Sequence, residues 1–204
     1  MSVVSRIIAL GLFGASLAVA VPTSANLIEN GSFEQSEESV NPGSWKYFTA
    51  NQVNGWEGSN IEIWNNLNGV QATDGVQFAE LNAHPSSGSE FGIYQDFATT
   101  TGQWYDLSFA YRARQSNGEV FSVDAASTSW IIDDHVTGSW SFFNGGFEAT
   151  SALTTLLFTS IVPETGTVGN FLDNVKVTAA SVPEPGTLAL LTLGLIGLGL
   201  RGRK

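Results

Sequence analysis

From Leu27 onward, large apolar side chains recur at alternate positions in short runs, and Gly, Asn, Pro and Ser interrupt the runs. An apolar period of two, with turn residues at roughly ten-residue spacing, is the mark of short strands rather than helices. The pattern predicts strands over 27–29, 45–49, 60–64, 76–81, 92–98, 104–112, 119–124, 139–143, 153–160 and 170–178. The turn residues fall between them, as at Asn41-Pro42-Gly43, Asn68-Gly69, Asp74-Gly75 and Pro85-Ser86-Ser87-Gly88. Asn117-Gly118 lies between two of the runs and is a hairpin signal, with a loop longer than two residues. So many short strands in one stretch predict an all-β architecture of two packed sheets, a jelly-roll β-sandwich.

Parity within the runs then separates the faces. Leu107, Phe109 and Tyr111 share one face and leave Arg112 on the other. By the same alternation, Ile61 and Ile63 turn Glu62 and Trp64 away from the core, and Ala79 and Leu81 turn Glu80 and Asn82 outward. Carboxylates, amides, an indole and a guanidinium on one kind of surface suit a sugar. A pyranose stacks its C–H face on an aromatic ring, and its hydroxyls both donate and accept. Trp56, Trp64 and Tyr94 are the candidate platforms, and Glu62, Glu80, Asn82, Gln95 and Arg112 the candidate polar partners. Most of the six Trp and thirteen Phe must nevertheless fill the core.

The two ends of the chain break the strand pattern. Arg6 precedes an apolar run over 7–21, and Pro22-Thr23-Ser24-Ala25 follows it. That is the layout of a secretory signal peptide, with small residues permitting cleavage before Asn26 or, alternatively, after Ala18 and Ala20. The expected partners are the Sec translocon and signal peptidase. At the other end Val182-Pro183-Glu184-Pro185-Gly186-Thr187 is followed by an uncharged apolar run to Leu200, then Arg201-Gly202-Arg203-Lys204. As a helix, 187–200 would reach only about 21 Å against roughly 30 Å of hydrocarbon. Anchoring there requires tilt, thinning or transience. The terminal cations put that end on the cytoplasmic side and the rest outside. The expected organisation is a signal peptide at 1–25, a β-sandwich domain at 26–180, and a tail at 181–204.

The tail closely resembles the PEP-CTERM sorting signal of Gram-negative bacteria. The resemblance is carried by Pro183, Glu184 and Pro185, the apolar run, and Arg201, Arg203 and Lys204; Gly186 departs from the usual Ser or Thr. It implies recognition by exosortase, a membrane-embedded processing enzyme of organisms that make extracellular polysaccharide. The chain would then be exported, held transiently in the inner membrane, and left at the cell surface or in the extracellular matrix.

Charge and chemistry narrow the function of the middle segment. Between 26 and 180, four cations (Lys46, Arg112, Arg114 and Lys176) face 18 acids, a net charge of −14. Nucleic acid is therefore an unfitting partner. The chain has no cysteine, which excludes disulfides and thiol catalysis. His84 and His135 have neither zinc-ligand spacing nor a nucleophile motif beside them. Glu62 and Glu80 could serve as a glycosidase pair only with about 5–9.5 Å between their carboxyls and a raised pKa on one of them. With so many acids a chance pair is expected, so the segment is read as non-catalytic.

The middle segment also resembles, more distantly, the galactose-binding-like sandwich of carbohydrate-binding modules. The similarity is carried by residues 26–34 with Asn30-Gly31-Ser32-Phe33-Glu34, by Gly55-Trp56, Glu80-Leu81-Asn82, Tyr94-Gln95-Asp96-Phe97, residues 102–114, and the closing Phe171-Leu172-Asp173-Asn174-Val175. It implies a structural Ca²⁺ between the first and last strands, with Glu34 and Asp173 at the matching positions. The alternative is that Glu34 orders a loop and Asp173 caps a turn. Two expectations follow: an exported binder of polysaccharide, or a structural or adhesive matrix protein with no specific glycan.

Overall fold

The computed structural model describes residues 25–85 and 91–180. The expected signal peptide, apart from Ala25, and the expected apolar helix and basic tail at 181–204 lie outside the described residues. Among the described residues eleven strands are formed: β1 (Ser44–Phe48), β2 (Glu57–Gly58), β3 (Ile61–Asn65), β4 (Gln77–Glu80), β5 (Gly92–Ala98), β6 (Trp104–Arg112), β7 (Val120–Ala125), β8 (Thr128–Ile132), β9 (Ser141–Glu148), β10 (Leu153–Val162) and β11 (Phe171–Ala179). The 3-10 turn Ala50–Gln52 is the one helical element among the described residues, and no helix there is long and apolar enough to cross a membrane.

The strands make two antiparallel sheets, ordered β1-β3-β4-β11-β6-β9 and β2-β5-β10-β7-β8. The predicted alternation builds the layer between them. Ile61, Ile63, Leu107, Phe109, Tyr111 and Leu172 face Ile93, Phe121, Val123, Leu156 and Phe158. Phe109 joins the sheets, lying parallel to Phe143 at 4.7 Å and edge-on to Phe158 at 5.3 Å. Full burial of each such side chain stabilises by about 1.5–3 kcal/mol.

Parity correctly named the core face but misjudged the other. The far face of the six-stranded sheet is covered by a second apolar cluster of Trp64, Val70, Phe78 and Phe171, with Leu67, Ala72 and Trp140 laid over it. A side chain that points away from the main core there still does not reach water.

Three local expectations are corrected. The Asn117-Gly118 segment is no hairpin: β6 and β7 belong to different sheets, and the chain crosses between them. Glu119 makes that crossing possible, because its carboxylate accepts the backbone N–H groups of Arg114, Gln115 and Ser116 at 2.7–2.8 Å in place of cross-strand bonds. Strands β2 and β8 were not expected. Residues 27–29 form no regular strand. Instead, Leu27 N–H donates to the Val177 carbonyl at 2.8 Å, and the Asn26 side chain accepts from Val177 N–H and donates to the Val175 carbonyl. The opening segment thus lies along β11 beyond the two residues that pair with β4. Gly31 allows this approach, since a Cβ there would sit 2.0 Å from the Val175 carbonyl oxygen.

Candidate functional site

Register across the six-stranded sheet aligns Tyr47, Glu62, Glu80, Phe171 and Arg112 on one face, one residue from each of five neighbouring strands. In the middle of this row the polar groups are enclosed. Glu62, Trp64, Glu80 and Asn82 are all buried, which corrects their expected outward exposure. Trp64 Nε1 donates to both Glu62 (2.9 Å) and Glu80 (3.1 Å). Glu80 also receives Arg114 Nη1 at 2.7 Å on each oxygen and the Gly169 N–H at 2.7 Å. The Arg114 guanidinium lies over the Trp64 ring at 4.6 Å. Burial pushes the Glu80 carboxyl up to about 8 against the opposing pull of Arg114, and the neighbouring Glu62 adds to the rise.

Asn82 is engaged in the same way, donating to the Pro163 carbonyl and accepting from the Ser160 hydroxyl, each at 2.9 Å. Asn170 extends the network, its amide nitrogen donating to the Ser160 hydroxyl at 2.8 Å and its Oδ1 lying 3.0 Å from His135 Nε2. These residues tie loops to the sheet and leave no carboxyl free to meet a substrate.

The sequence singled out Arg112, yet Arg114 takes the carboxylate. Arg112 closes β6 and Arg114 lies two residues beyond it, where its guanidinium also donates to the Thr167 carbonyl in the 163–169 loop. Arg112 makes no ion pair among the described residues, its Nε is buried without a partner, and burial lowers its pKa. Trp56 is no platform. It is 1% exposed, stacks on Phe33 at 5.0 Å, and donates its indole N–H to the Asn30 carbonyl. Gln95 is buried and clamps both the N–H and the carbonyl of Glu29, at 2.7 and 3.0 Å. Tyr94 is half-buried, and its hydroxyl donates to Glu57 at 2.9 Å.

The accessible aromatic surface lies at the β1 edge. Trp45 and Tyr47 are 41% and 49% exposed and stand on the face opposite Phe48. The His84 ring stacks on Trp45 at 5.5 Å. Asn60 donates to the His84 carbonyl at 3.3 Å and also lines a groove of about 490 Å³ with Thr49, Asn51, Asn54, Glu57 and Gly58. Gly58 and Tyr94 continue this surface into a neighbouring shallow depression. The β1 edge thus carries Trp45 and Tyr47 with the His84 ring, and Asn60 links His84 to a groove that holds three primary amides and the Glu57 carboxylate. The strand at 45–49 was expected, but Trp45 and Tyr47 were missed as site residues because nothing local marks β1 as an edge strand.

Glu34 and Asp173 grip one loop from opposite ends of the chain. Glu34 accepts the N–H groups of Val76 and Gln77 at 2.7 and 2.6 Å; Asp173 accepts those of Thr73 and Asp74 at 2.6 and 3.0 Å. Burial raises the Asp173 pKa to about 6 in spite of these donors. Among the described residues no group of three or more His, Cys, Asp or Glu is placed to hold a metal. Two amide oxygens, Oε1 of Gln77, whose Nε2 donates to Glu34, and Oδ1 of Asn174, next in sequence to Asp173, are buried without partners. Carboxylate and amide oxygens are donors of the kind Ca²⁺ takes, although both oxygens of Glu34 and both of Asp173 already accept protein N–H or O–H groups.

Comparison with known proteins places two family matches on the chain. Residues 26–178 match the family described as "Protein of unknown function (DUF642)", and residues 181–204 carry a PEP-CTERM protein-sorting motif. Halomucin from Haloquadratum walsbyi is 29% identical over 167 residues; the match covers 78% of this chain but only 2% of halomucin. Among solved structures, arabinose-bound MgGH51 α-L-arabinofuranosidase aligns at a TM-score of 0.50 and 13% identity, over 78% of this chain and 27% of that one. TmCBM61 in complex with β-1,4-galactotriose aligns at a TM-score of 0.47 and 13% identity, over 77% of this chain and 100% of that one.

Proposed function

The chain belongs to the DUF642 family, and we propose that it is an exported, non-catalytic protein that binds carbohydrate along the β1 edge. The observation that carries the proposal is the exposed pair Trp45 and Tyr47, with His84 stacked on Trp45 and Asn60, which donates to the His84 carbonyl, lining a groove with Asn51 and Asn54. Rings offer flat apolar platforms, and the amides both donate and accept, as sugar hydroxyls require. Hydrolysis is not part of the proposal. Glu62 and Glu80 share one indole N–H inside the fold, whereas a glycosidase pair must flank a sugar.

The sorting motif supports export and processing by exosortase, with a transient inner-membrane stage and exopolysaccharide at the cell surface or in the matrix as the ligand source. A structural Ca²⁺ held by Glu34 and Asp173, with Gln77 and Asn174 supplying amide oxygens, belongs to the same reading. Bound there, the ion would tie the opening segment to the closing strand.

The test is binding to a panel of polysaccharides by the protein and its Trp45→Ala and Tyr47→Ala variants. Removing a stacked ring should weaken binding about tenfold, or about 1.4 kcal/mol, with the circular dichroism unchanged. A folded protein that retains no glycan, or binding indifferent to both substitutions, would refute the proposal; the former would leave a structural or adhesive role.

A further inference from the structure

Of the four cations in the 26–180 segment, three have an anionic partner and one does not. Lys46 pairs with Glu38, Arg114 with Glu80 and Lys176 with Asp74. The Arg112 side chain makes neither an ion pair nor a hydrogen bond among the described residues, in a segment that holds 18 acids. Its Nε is buried without a partner, while its two terminal nitrogens are unbonded and reach the surface. A buried donor left unpaired opposes folding, so packing alone does not account for an arginine here.

Strand alternation sets further unbonded groups beside it on the outer face of β6 and β9. Ala110, two residues back along β6, adds little bulk and pairs with Phe142, which is 62% exposed. Arg112 and Phe142 are thus diagonal neighbours, about 7–8 Å apart. Ser108, two residues further back, pairs with Asn144. Neither of these side chains bonds to another described residue, and Asn144 is exposed. A cation, a flat ring, a hydroxyl and an amide therefore follow one another over four residues of strand, about 13 Å at ~3.3 Å per residue.

The surrounding acids leave this row to the cation. Glu80 and Asp173, the nearest carboxylates in register, are buried and engaged by Arg114 and by Thr73 and Asp74. Asp133 and Asp134 are exposed, the latter accepting the Tyr111 hydroxyl, and neither pairs with Arg112. Asp106 and Glu148 share the face, but Asp106 is six residues along β6, about 20 Å, and Glu148 lies opposite Trp104, about 26 Å along. Both distances exceed the roughly 8 Å over which exposed charges act at physiological salt.

We propose that this row is a second saccharide site, separate from the β1 edge, which takes an acidic sugar. Arg112 receives the carboxylate of a uronic-acid residue, Phe142 stacks against a C–H face of the sugar, and Ser108 and Asn144 meet its hydroxyls. The planar guanidinium can offer two parallel N–H groups to one carboxylate. The net charge of −14 between 26 and 180 disfavours a dense polyanion, so the fitting ligand is a largely neutral chain with occasional uronic residues. β6 is four strand positions from β1, about 19 Å, so the two sites bind independently.

The exported protein is titrated calorimetrically with short neutral oligosaccharides that each carry one glucuronic, galacturonic or mannuronic acid residue, and with the same compounds after reduction of the carboxylate to a hydroxymethyl group. For the acidic sugar that binds, carboxyl reduction and Arg112→Gln are each expected to weaken binding at least tenfold. The two losses should not add, because they remove one contact. Phe142→Ala should weaken binding several-fold, Arg112→Lys should restore part of the loss, and Trp45→Ala should change nothing. Carboxyl reduction leaves the protein untouched, so it remains decisive if a variant fails to fold. Equal affinity for the acidic and reduced sugars, or binding indifferent to Arg112→Gln, would overturn the second site. Acid-dependent binding lost with Trp45→Ala and kept with Arg112→Gln would also overturn it, assigning the acid to the β1 edge and leaving the proposed function intact. A folded protein that binds none of the acidic sugars would overturn it too, while neutral glycans lost with Trp45→Ala would still uphold the β1 edge.

Discussion

Replacing Arg114 with Met probes the buried charge that holds the 163–169 loop to the sheet. The substitution keeps an apolar stem over Trp64 but removes the guanidinium that serves both oxygens of Glu80. Glu80 would retain the Trp64 and Gly169 N–H donors. Losing hydrogen bonds to a charged group costs about 1.5–3 kcal/mol, and losing a partly exposed cation–π contact about 0.5–1 kcal/mol. Breaking a fully buried pair reaches about 3–5 kcal/mol, but Arg114 is 27% exposed and Glu80, with its pKa raised to about 8, is largely protonated at pH 7. At pH 7 a loss of about 2–3 kcal/mol is therefore expected.

The pH dependence separates this cause from simple loss of packing. In the native protein the Glu80 carboxyl is raised from 4.5 to about 8. The folded state then binds the proton more tightly than the unfolded state, so this group's contribution is fully present below about 4.5 and declines as pH rises to about 8. Without Arg114 the carboxyl rises further and the decline continues to higher pH. Urea unfolding at pH 5, 7 and 9 should show the variant's deficit growing with pH. A deficit that is constant across this range, or below about 0.5 kcal/mol throughout, would refute the assignment of Arg114 as the counter-charge of Glu80.

Three further outcomes are expected. Gly31→Ala forces a methyl to 2.0 Å from the Val175 carbonyl oxygen, where backbone must move, and should destabilise by about 3 kcal/mol or more in thermal unfolding. Glu119→Gln leaves some of the N–H groups of Arg114, Gln115, Ser116 and Asn170 without an acceptor; a loss of about 2–3 kcal/mol, seen as a lower urea midpoint, is expected. If Ca²⁺ sits at Glu34 and Asp173, adding it to chelator-treated protein at 100 times its Kd should stabilise by about 2.7 kcal/mol, raising Tm by roughly 5–10 °C. Asp173→Asn should abolish that rise, and a Tm indifferent to Ca²⁺ would remove the metal from the proposal.

Strand content was largely legible because alternation is a local property. Runs such as Leu107, Phe109, Tyr111 and Ile61, Ile63 put their apolar parity into the core as expected. The short strands β2 and β8 escaped notice, since two to five residues carry too little periodicity to stand out from a loop. The candidate site was less legible. Trp56, Trp64, Glu62, Glu80, Asn82 and Gln95 have the residue types of a sugar site, but every one is buried. Composition cannot reveal that a loop will cover a sheet face, or that an indole will serve two carboxylates internally.

The sequence by itself determined what depends on neighbours in the chain: the alternation that makes strands, the turns between them, the acidity of the domain and the sorting motif at 181–204. Tertiary structure alone decided what depends on residues far apart. The order of the strands made β1 an edge and so exposed Trp45 and Tyr47, while the loop carrying Gly169 closed over Glu80 from 89 residues away. It also brought Asn26 to Val177 across 151 residues, placing both ends of the domain at one pole. Such pairings are set by the free energy of burying whole faces against one another, and no short window of sequence contains both partners.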